Sequence, residues 1–208
     1  MYLTNEKTKH SSWVGSYKTR KWNDVTSIIY FEKVYGGKGL LKKIKLEAEN
    51  TGLHFNSSMI KENETHIWLA SGWSVVERLN VLSVNLRNLE LSNTISQNFE
   101  NFTKNNINEL VSLDKSIFDP YWQNSEAAFI ETLDSCNQNY LFKQYDEDLL
   151  VGYAILGVTR NFSFLQRFGI SLGYQNKGHG SELLKNVLNF AKDNKFTNIR
   201  LNTQENNK

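Results

Sequence analysis

Toward the C-terminal end, Gly180, Leu183, Leu184, Val187, Leu188 and Ala191 recur at the i, i+3, i+4, i+7 spacing of one helix face. Just before them, Phe162 to Leu172 is apolar and aromatic enough for a buried strand, and Gln175 to Gly180 is a short turn with two glycines. Strand, glycine turn and helix in this order aim the free first-turn amides of the helix at an anion. Glycine lets the backbone approach that anion with no Cβ in the way.

The same alternation organises the N-terminal half. Val25 to Val34 is β-branched and aromatic and predicts a strand. Gly36, Gly37 and Gly39 break it, and Leu40, Leu41, Ile44 and Ala48 then follow at helical spacing to Asn50. Leu53 to Ile60 predicts a short strand, Asn63 to Ser71 a short helix, and Ser74 to Leu86 has strand character. Met1 to Arg20 is polar and fits either a loose arm or a short packed strand. Arg87 to Asn106 is rich in Asn and Ser, which predicts a linker, placed at 93–106, between a region 1–92 and a domain 107–208. In that domain, Ile107 to Phe118 and Glu126 to Cys136 predict helices, the first closed by Pro120. Tyr140 to Tyr145 and Leu149 to Val158 predict a hairpin turning at Asp146-Glu147-Asp148. The fold class is α/β (α+β), a mixed and mostly antiparallel sheet flanked by helices.

Composition narrows the function. A net charge of +2 gives no bulk electrostatic case for nucleic acid or an acidic membrane. No apolar run approaches a membrane span, and MYLTNEKTKH lacks the apolar core of a signal peptide, so a cytoplasmic location is expected. Cys136 is the one cysteine, which excludes an internal disulfide and a cysteine-based zinc site, and it reads as a buried small hydrophobe. His10, His54 and His66 have no metal-ligand spacing, and no metal is expected. No Gly-Lys-Ser/Thr follows the glycine turn, and G-x-G-x-x-G is absent, so neither a P-loop nor a dinucleotide fingerprint is present.

Gln175-x-x-Gly178-x-Gly180 resembles the Q/R-x-x-G-x-G/A signature of the GNAT superfamily of N-acetyltransferases. Leu165 to Ile170 is similar to that family's central strand, Leu201 to Asn207 to the next strand and its asparagine, and Phe118 to Trp122 and Val151 to Ala154 to upstream positions. The resemblance covers about Asn106 to Lys208, particularly as seen in two-part bacterial members. It implies acetyl-CoA as cosubstrate, bound at its pyrophosphate by Gln175, Asn176, Lys177, Gly178, His179, Gly180 and Ser181. It implies pantetheine along Phe168, Gly169 and Ile170, and the cofactor arm near Asn207. Asp119, Tyr121 and Trp122 fall where the family places its amine acceptor. Asp119 reads more simply as a cap or turn residue before Pro120, and Tyr121 and Trp122 read equally as packed aromatics.

The implied reaction is direct transfer of an acetyl group to a primary amine, with positioning supplying most of the rate and a strand amide stabilising the thioester oxygen. Gly169 is expected at a bulge that splays the sheet, or as relief of crowding among Phe164, Phe168 and Tyr174. The chain departs from the family in two ways. The central strand carries Gln166 and Arg167 and no carboxylate. The family's helix with L-Y-x-x-x-G-F and two further strands have no counterpart after Asn207, so the domain is expected to be incomplete at its C-terminus. Ile67 to Trp73 resembles that segment within a degenerate N-terminal half-repeat, but Trp68 stands at the tyrosine, so the catalytic residue is unassigned. An unrelated α+β extension is the alternative to the half-repeat. Ser74 to Leu86 is expected to fill the vacant sheet edge beside Asn198 to Thr203, and an unfilled edge invites a homodimer. The alternative to an enzyme is an inactive acyl-CoA-binding or regulatory module.

Overall fold

The computed structural model of the chain describes residues 2–90, 99–160 and 162–205. Asn207 lies outside the described residues. The chain divides into two compact units, Met1–Glu77 and Arg78–Lys208.

In the first unit, β1 (Thr8–Ser12) and β2 (Gly15–Lys21) form an antiparallel hairpin, and β3 (Ile28–Gly36) extends it. Helix α1 (Lys38–Thr51) crosses over, and β4 (His54–Ser57) returns parallel to β3. The face predicted from periodicity is the face that packs: Leu40, Leu41, Ile44 and Ala48 bury against Ile29, Phe31 and Phe55. A 3-10 turn and α2 (Thr65–Leu69) follow, and Trp68 is buried in the same core. The polar first twenty residues supply two strands. Their inward positions include Thr19, fully buried, whose hydroxyl lies 2.7 Å from His10 Nε2. A hydrogen-bonded polar residue facing inward hides the alternation that would otherwise mark a strand.

The second unit holds a six-stranded sheet. Its strands are β5 (Leu79–Asn85), β6 (Phe99–Asn101), β7 (Gln138–Asp146), β8 (Leu149–Thr159), β9 (Phe162–Ile170) and β10 (Asn198–Gln204), in the order β5-β10-β9-β8-β7-β6. Only β9 and β10 run parallel, as their crossover helix α5 (His179–Asp193) requires. α5 buries Leu183, Val187, Phe190 and Ala191 on one face of the sheet, against Phe142, Leu156 and Leu165. Burying Leu183 or Val187 stabilises by about 1.5–3 kcal/mol relative to exposure. On the other face, α3 (Ile107–Ile117) and α4 (Glu126–Asp134) pack Leu110, Ile117 and Phe129 onto Leu141, Tyr153 and Ile155. Both sheets are mixed and mostly antiparallel, as the fold class requires.

The units part at Glu77, ahead of the expected boundary at residue 92, because β5 belongs to the second sheet. It pairs antiparallel with β10 from Leu79 opposite Gln204 to Asn85 opposite Asn198. The expected filling of that edge is therefore met by Leu79–Asn85. Part of the expected linker at 93–106 falls on residues 91–98, outside the described residues. The remainder is structured: Phe99–Asn101 pairs with β7, and Lys104–Asn106 is a 3-10 turn begun by Thr103 with a capping box. Segments of three residues are too short for hydrophobic periodicity to reveal.

Candidate functional site

Strands β9 and β10 pair only at Ser163 with Ile199 and at Phe164 with Arg200. β10 then continues along β5 to Gln204, while β9 continues along β8 to Ile170, so the two parallel strands separate. The cause lies one step along β9. Ile155 of β8 faces Arg167 and Leu156 faces Leu165, which leaves Gln166 as the extra residue of a bulge. The bulge expected at Gly169 is therefore at Gln166. Gly169 stays in register opposite Tyr153, and its missing side chain serves packing: a Cβ there would stand 2.5 Å from Ile117 Cγ2 and 2.8 Å from Phe118 Cζ.

The backbone phase of β9 follows from one bond. Ser171 N donates to Val151 O at 2.8 Å, so Ser171, Gly169 and Arg167 turn their backbone groups toward β8. Phe168 and Ile170 turn theirs toward the separated side. Of the three residues expected along the pantetheine, Phe168 turns both backbone groups to that side, Ile170 turns its N–H there while its carbonyl accepts from Gln175 Nε2, and Gly169 faces β8.

A hollow of about 370 Å³ lies where the strands separate, lined by Ser135, Cys136, Thr159, Phe164, Leu165, Gln166 and Asn202. Gln166 Nε2 donates to Ser135 Oγ at 2.5 Å and lies 3.5 Å from Cys136 Sγ. Its Oε1 is buried without a partner. Gly157 on β8 leaves the room these side chains occupy. Cys136 is thus a half-buried thiol on a hollow, not a core residue. Sequence reasoning missed Ser135, Cys136, Thr159, Gln166 and Asn202 here. The only signal was Gln166 on the central strand, since a bulge leaves no mark in hydrophobic alternation.

At the far end of β9 the chain turns into α5. Asn176 and Gly178 both have positive φ, 61° and 94°. Nothing lies within 4 Å of the Cβ position of Gly178, so its approach is open. The first helical bond of α5 is Glu182 N to Gly178 O, 3.0 Å, and the helix has no side-chain cap. The amides of His179, Gly180 and Ser181 precede that bond and point out of the helix start. Gln175 closes the turn by donating from Nε2 to Ile170 O at 2.9 Å. Lys177 Nζ sits 5.0 Å from the Tyr174 ring centroid. The side chain of His179 turns away toward the hairpin, with Nε2 3.5 Å from Asp146 Oδ1. Two left-handed residues followed by three free amides form a concave donor surface that suits a phosphate.

The loop from Phe118 to Asn124 connects α3 to α4. Asp119 is exposed, and its carbonyl accepts Trp122 N at 2.8 Å, as in a turn. Tyr121 and Trp122 stack edge to face, 4.9 Å between centroids. Neither lines the hollow, but the loop is tied to β9. Arg167 Nη2 donates to Trp122 O at 2.7 Å, and Asn124 N donates to Asp114 Oδ1 at 2.7 Å. Burial pushes the Tyr153 phenol, which donates to the same carboxylate, well above its ordinary range, and the charge on Asp114 adds to this. In the first unit, Trp68 is 4% exposed and its indole Nε1 is buried with no partner.

Residues 107–208 match the profile of the Acetyltransferase (GNAT) family. No curated protein matches the sequence. Among solved structures, the chain resembles a GCN5-related N-acetyltransferase from Sphaerobacter thermophilus, with TM-score 0.57 and 12% identity over 92% of this chain and 68% of that one. It resembles a tandem GNAT protein from the clavulanic acid biosynthesis pathway, with TM-score 0.60 and 10% identity over 94% and 72%. A protein of Enterococcus faecalis V583 described as a probable N-acyltransferase gives TM-score 0.63 and 7% identity over 94% and 53%. At such identities the likeness is one of fold. The match makes residues 107–208 a domain of the GNAT superfamily, and the fold is held in common with these structures.

Proposed function

We propose that the chain is an acetyl-CoA-dependent N-acetyltransferase acting on a primary amine, with its cofactor site in the second unit. The observation that carries this reading is the separation of β9 from β10 after Phe164 and Arg200, with an amide-rich helix start at one end and a hollow at the bulge. The amides of His179, Gly180 and Ser181 take the pyrophosphate, with Lys177 as a nearby cation. Backbone groups of Phe168 and Ile170 hold the pantetheine amides as a strand would. The thioester then reaches the hollow beside Gln166.

In the reaction the amine nitrogen attacks the thioester carbonyl, the new C–N bond forms, and the C–S bond breaks to release CoA as the thiol. The amine loses one proton and the thiolate gains one. The chain contributes orientation and exclusion of water. Asn202 offers an amide donor near the carbonyl, where developing negative charge is stabilised, while Gln166 Nε2 is held by Ser135. The loop Phe118–Asn124, with Asp119, Tyr121 and Trp122, borders the acceptor.

A specific observation favours a second reading, an acyl-CoA-binding module without turnover. Among the described residues, the hollow is lined by hydroxyl, thiol, amide and apolar groups and by no carboxylate or imidazole. The residue matched to the family's tyrosine, Trp68, is buried and cannot act as a proton donor to a thiolate.

Calorimetry with acetyl-CoA, on the chain and on Gly180→Val, tests the site. A Cβ at Gly180 meets only Ile170 Cγ1 at 3.7 Å, an ordinary contact, so the variant folds while its side chain crowds the phosphate position. Binding near −8 kcal/mol, the value for a micromolar Kd, is expected for the chain and is lost in the variant. Equal binding by both removes the turn from the site. Acetyl transfer to a panel of amines then separates the two readings: turnover selects the enzyme, and binding without turnover selects the module.

A further inference from the structure

Strand β5 is the outermost strand of its sheet, and among the described residues no strand pairs with its outer side. Edge strands are normally blunted against pairing by shortness, charge, proline or a bulge. The other sheet edges follow that rule. β6 has three residues and carries Glu100, ion-paired to Lys143 at 3.0 Å. β4 has four residues, and β1 carries Lys9 and His10. β5 has none of these features. It reads Leu-Asn-Val-Leu-Ser-Val-Asn, uncharged over seven residues and in unbroken register with β10. Val81 and Leu82, on opposite faces, are 63% and 52% exposed.

Its outward hydrogen-bonding groups can be identified. Glu205 N donates to Arg78 O at 3.1 Å and Leu86 N to Thr197 O at 3.0 Å, one bond at each end of the ladder. Both continue the printed register, so Asn80, Leu82 and Val84 turn their backbone groups toward β10. Leu79, Val81, Ser83 and Asn85 therefore present theirs at the open edge.

We propose that this edge pairs antiparallel with the same edge of a second copy of the chain, about a two-fold axis at Leu82. A two-fold perpendicular to the sheet keeps every residue on its own face, so it passes through a residue and not between two. At Leu82 all seven positions overlap. Val81 then bonds with Ser83 of the second copy and Leu79 with Asn85, all four of them residues whose groups face outward. The two Leu82 side chains meet across the axis and cover each other's exposed surface. Charge suits this partner. The seven residues of β5 carry no charge, so no like charges face one another along the paired edge.

Sedimentation equilibrium of the chain and of Leu82→Lys tests the proposal, together with oxidative cross-linking of Leu82→Cys and Asn80→Cys. The two copies of Leu82 form a non-hydrogen-bonded pair, with Cα atoms about 4.5 Å apart, inside the range a disulfide spans. The two copies of Asn80 lie well apart along the ladder. The chain is expected at twice the single-chain mass and Leu82→Lys at the single-chain mass, with circular dichroism showing it folded. Leu82→Cys gives a cross-linked dimer, while Asn80→Cys and the chain with Cys136 alone do not. A single-chain mass at every concentration, or cross-linking through Asn80 in preference to Leu82, overturns the proposal. Should Leu82→Lys fail to fold, the cysteine pair decides alone.

Discussion

Arg167 on β9 grips Asp114 on α3 through a two-pronged fork, Nε to Oδ2 at 2.8 Å and Nη2 to Oδ1 at 2.9 Å, with the carboxylate fully buried. The guanidinium also lies over the Phe118 ring, 3.5 Å from its centroid. Every oxygen of this carboxylate is used, since Tyr153 and Asn124 take the remaining positions. Removing one member of a buried pair leaves the other charge uncompensated. Asp114→Ala should therefore destabilise by about 3–5 kcal/mol, read as a lower urea midpoint. Arg167→Lys keeps the charge and loses the fork. It should raise KM for the amine while leaving acetyl-CoA binding unchanged, because it loosens the loop at Trp122 and not the turn at Gly178.

Gly169 has no space for a methyl group. Gly169→Ala forces Ile117 and Phe118 away from the sheet, an overpacking that costs about 1–3 kcal/mol. The displaced atoms lead into the acceptor loop, so thermal unfolding should drop together with acceptor affinity. Phe118→Leu in the same background should restore part of both by making room.

The thiol of Cys136 reports on the hollow. Iodoacetamide should alkylate it in the free protein, and acetyl-CoA at ten times its Kd should slow that reaction about tenfold by occupying the sites. An unchanged rate under saturating acetyl-CoA would separate the hollow from the cofactor path. Mass spectrometry of the tryptic peptide gives the rate directly.

Acid should weaken the first unit through His10. The ring stacks on Tyr17 and Tyr2, at 4.7 and 5.2 Å between centroids, with Thr19 at its Nε2 and Glu47 nearby. Burial lowers its pKa below the ordinary 6.5, an effect that Glu47 opposes but does not cancel. Above pH 6.5 both folded and unfolded forms are neutral and the full stability is present. As pH falls below 6.5 the unfolded chain takes up the proton first, and stability is lost until the folded ring also protonates. Melting curves at pH 7.5 and 5.5 should show this fall in the chain and a smaller one in His10→Phe.

How much of this was legible in the residues depends on what each feature is made of. The helix face of Leu183, Val187 and Ala191 and that of Leu40, Leu41 and Ile44 are periodic, and periodicity survives folding unchanged. The turn at Gly178 is equally direct, because its backbone requires φ of 94°. The bulge at Gln166 depends on which residue of β8 it faces, a relation between two strands that neither strand carries alone. The fork between Asp114 and Arg167 joins residues remote in the chain, and each by itself reads as surface charge. β1 and β2 were hidden because Thr19 and Arg20 are buried polar groups, Thr19 satisfied by His10 across the hairpin and Arg20 by the carbonyls of Lys21 and Trp22.

The pairing of β5 with β10 has a consequence for how the protein is made. Leu79 and Asn85 find their partners Gln204 and Asn198 only after more than half of the chain has been synthesised between them. Closing so long a loop is slow compared with forming the β7–β8 hairpin or α5, whose contacts are local. During synthesis the seven uncharged residues of β5 therefore wait with both edges open, the condition under which strands recruit the wrong partner. β10 is made after every other described strand of its sheet, so the cleft between β9 and β10 takes its shape only once β10 is in place.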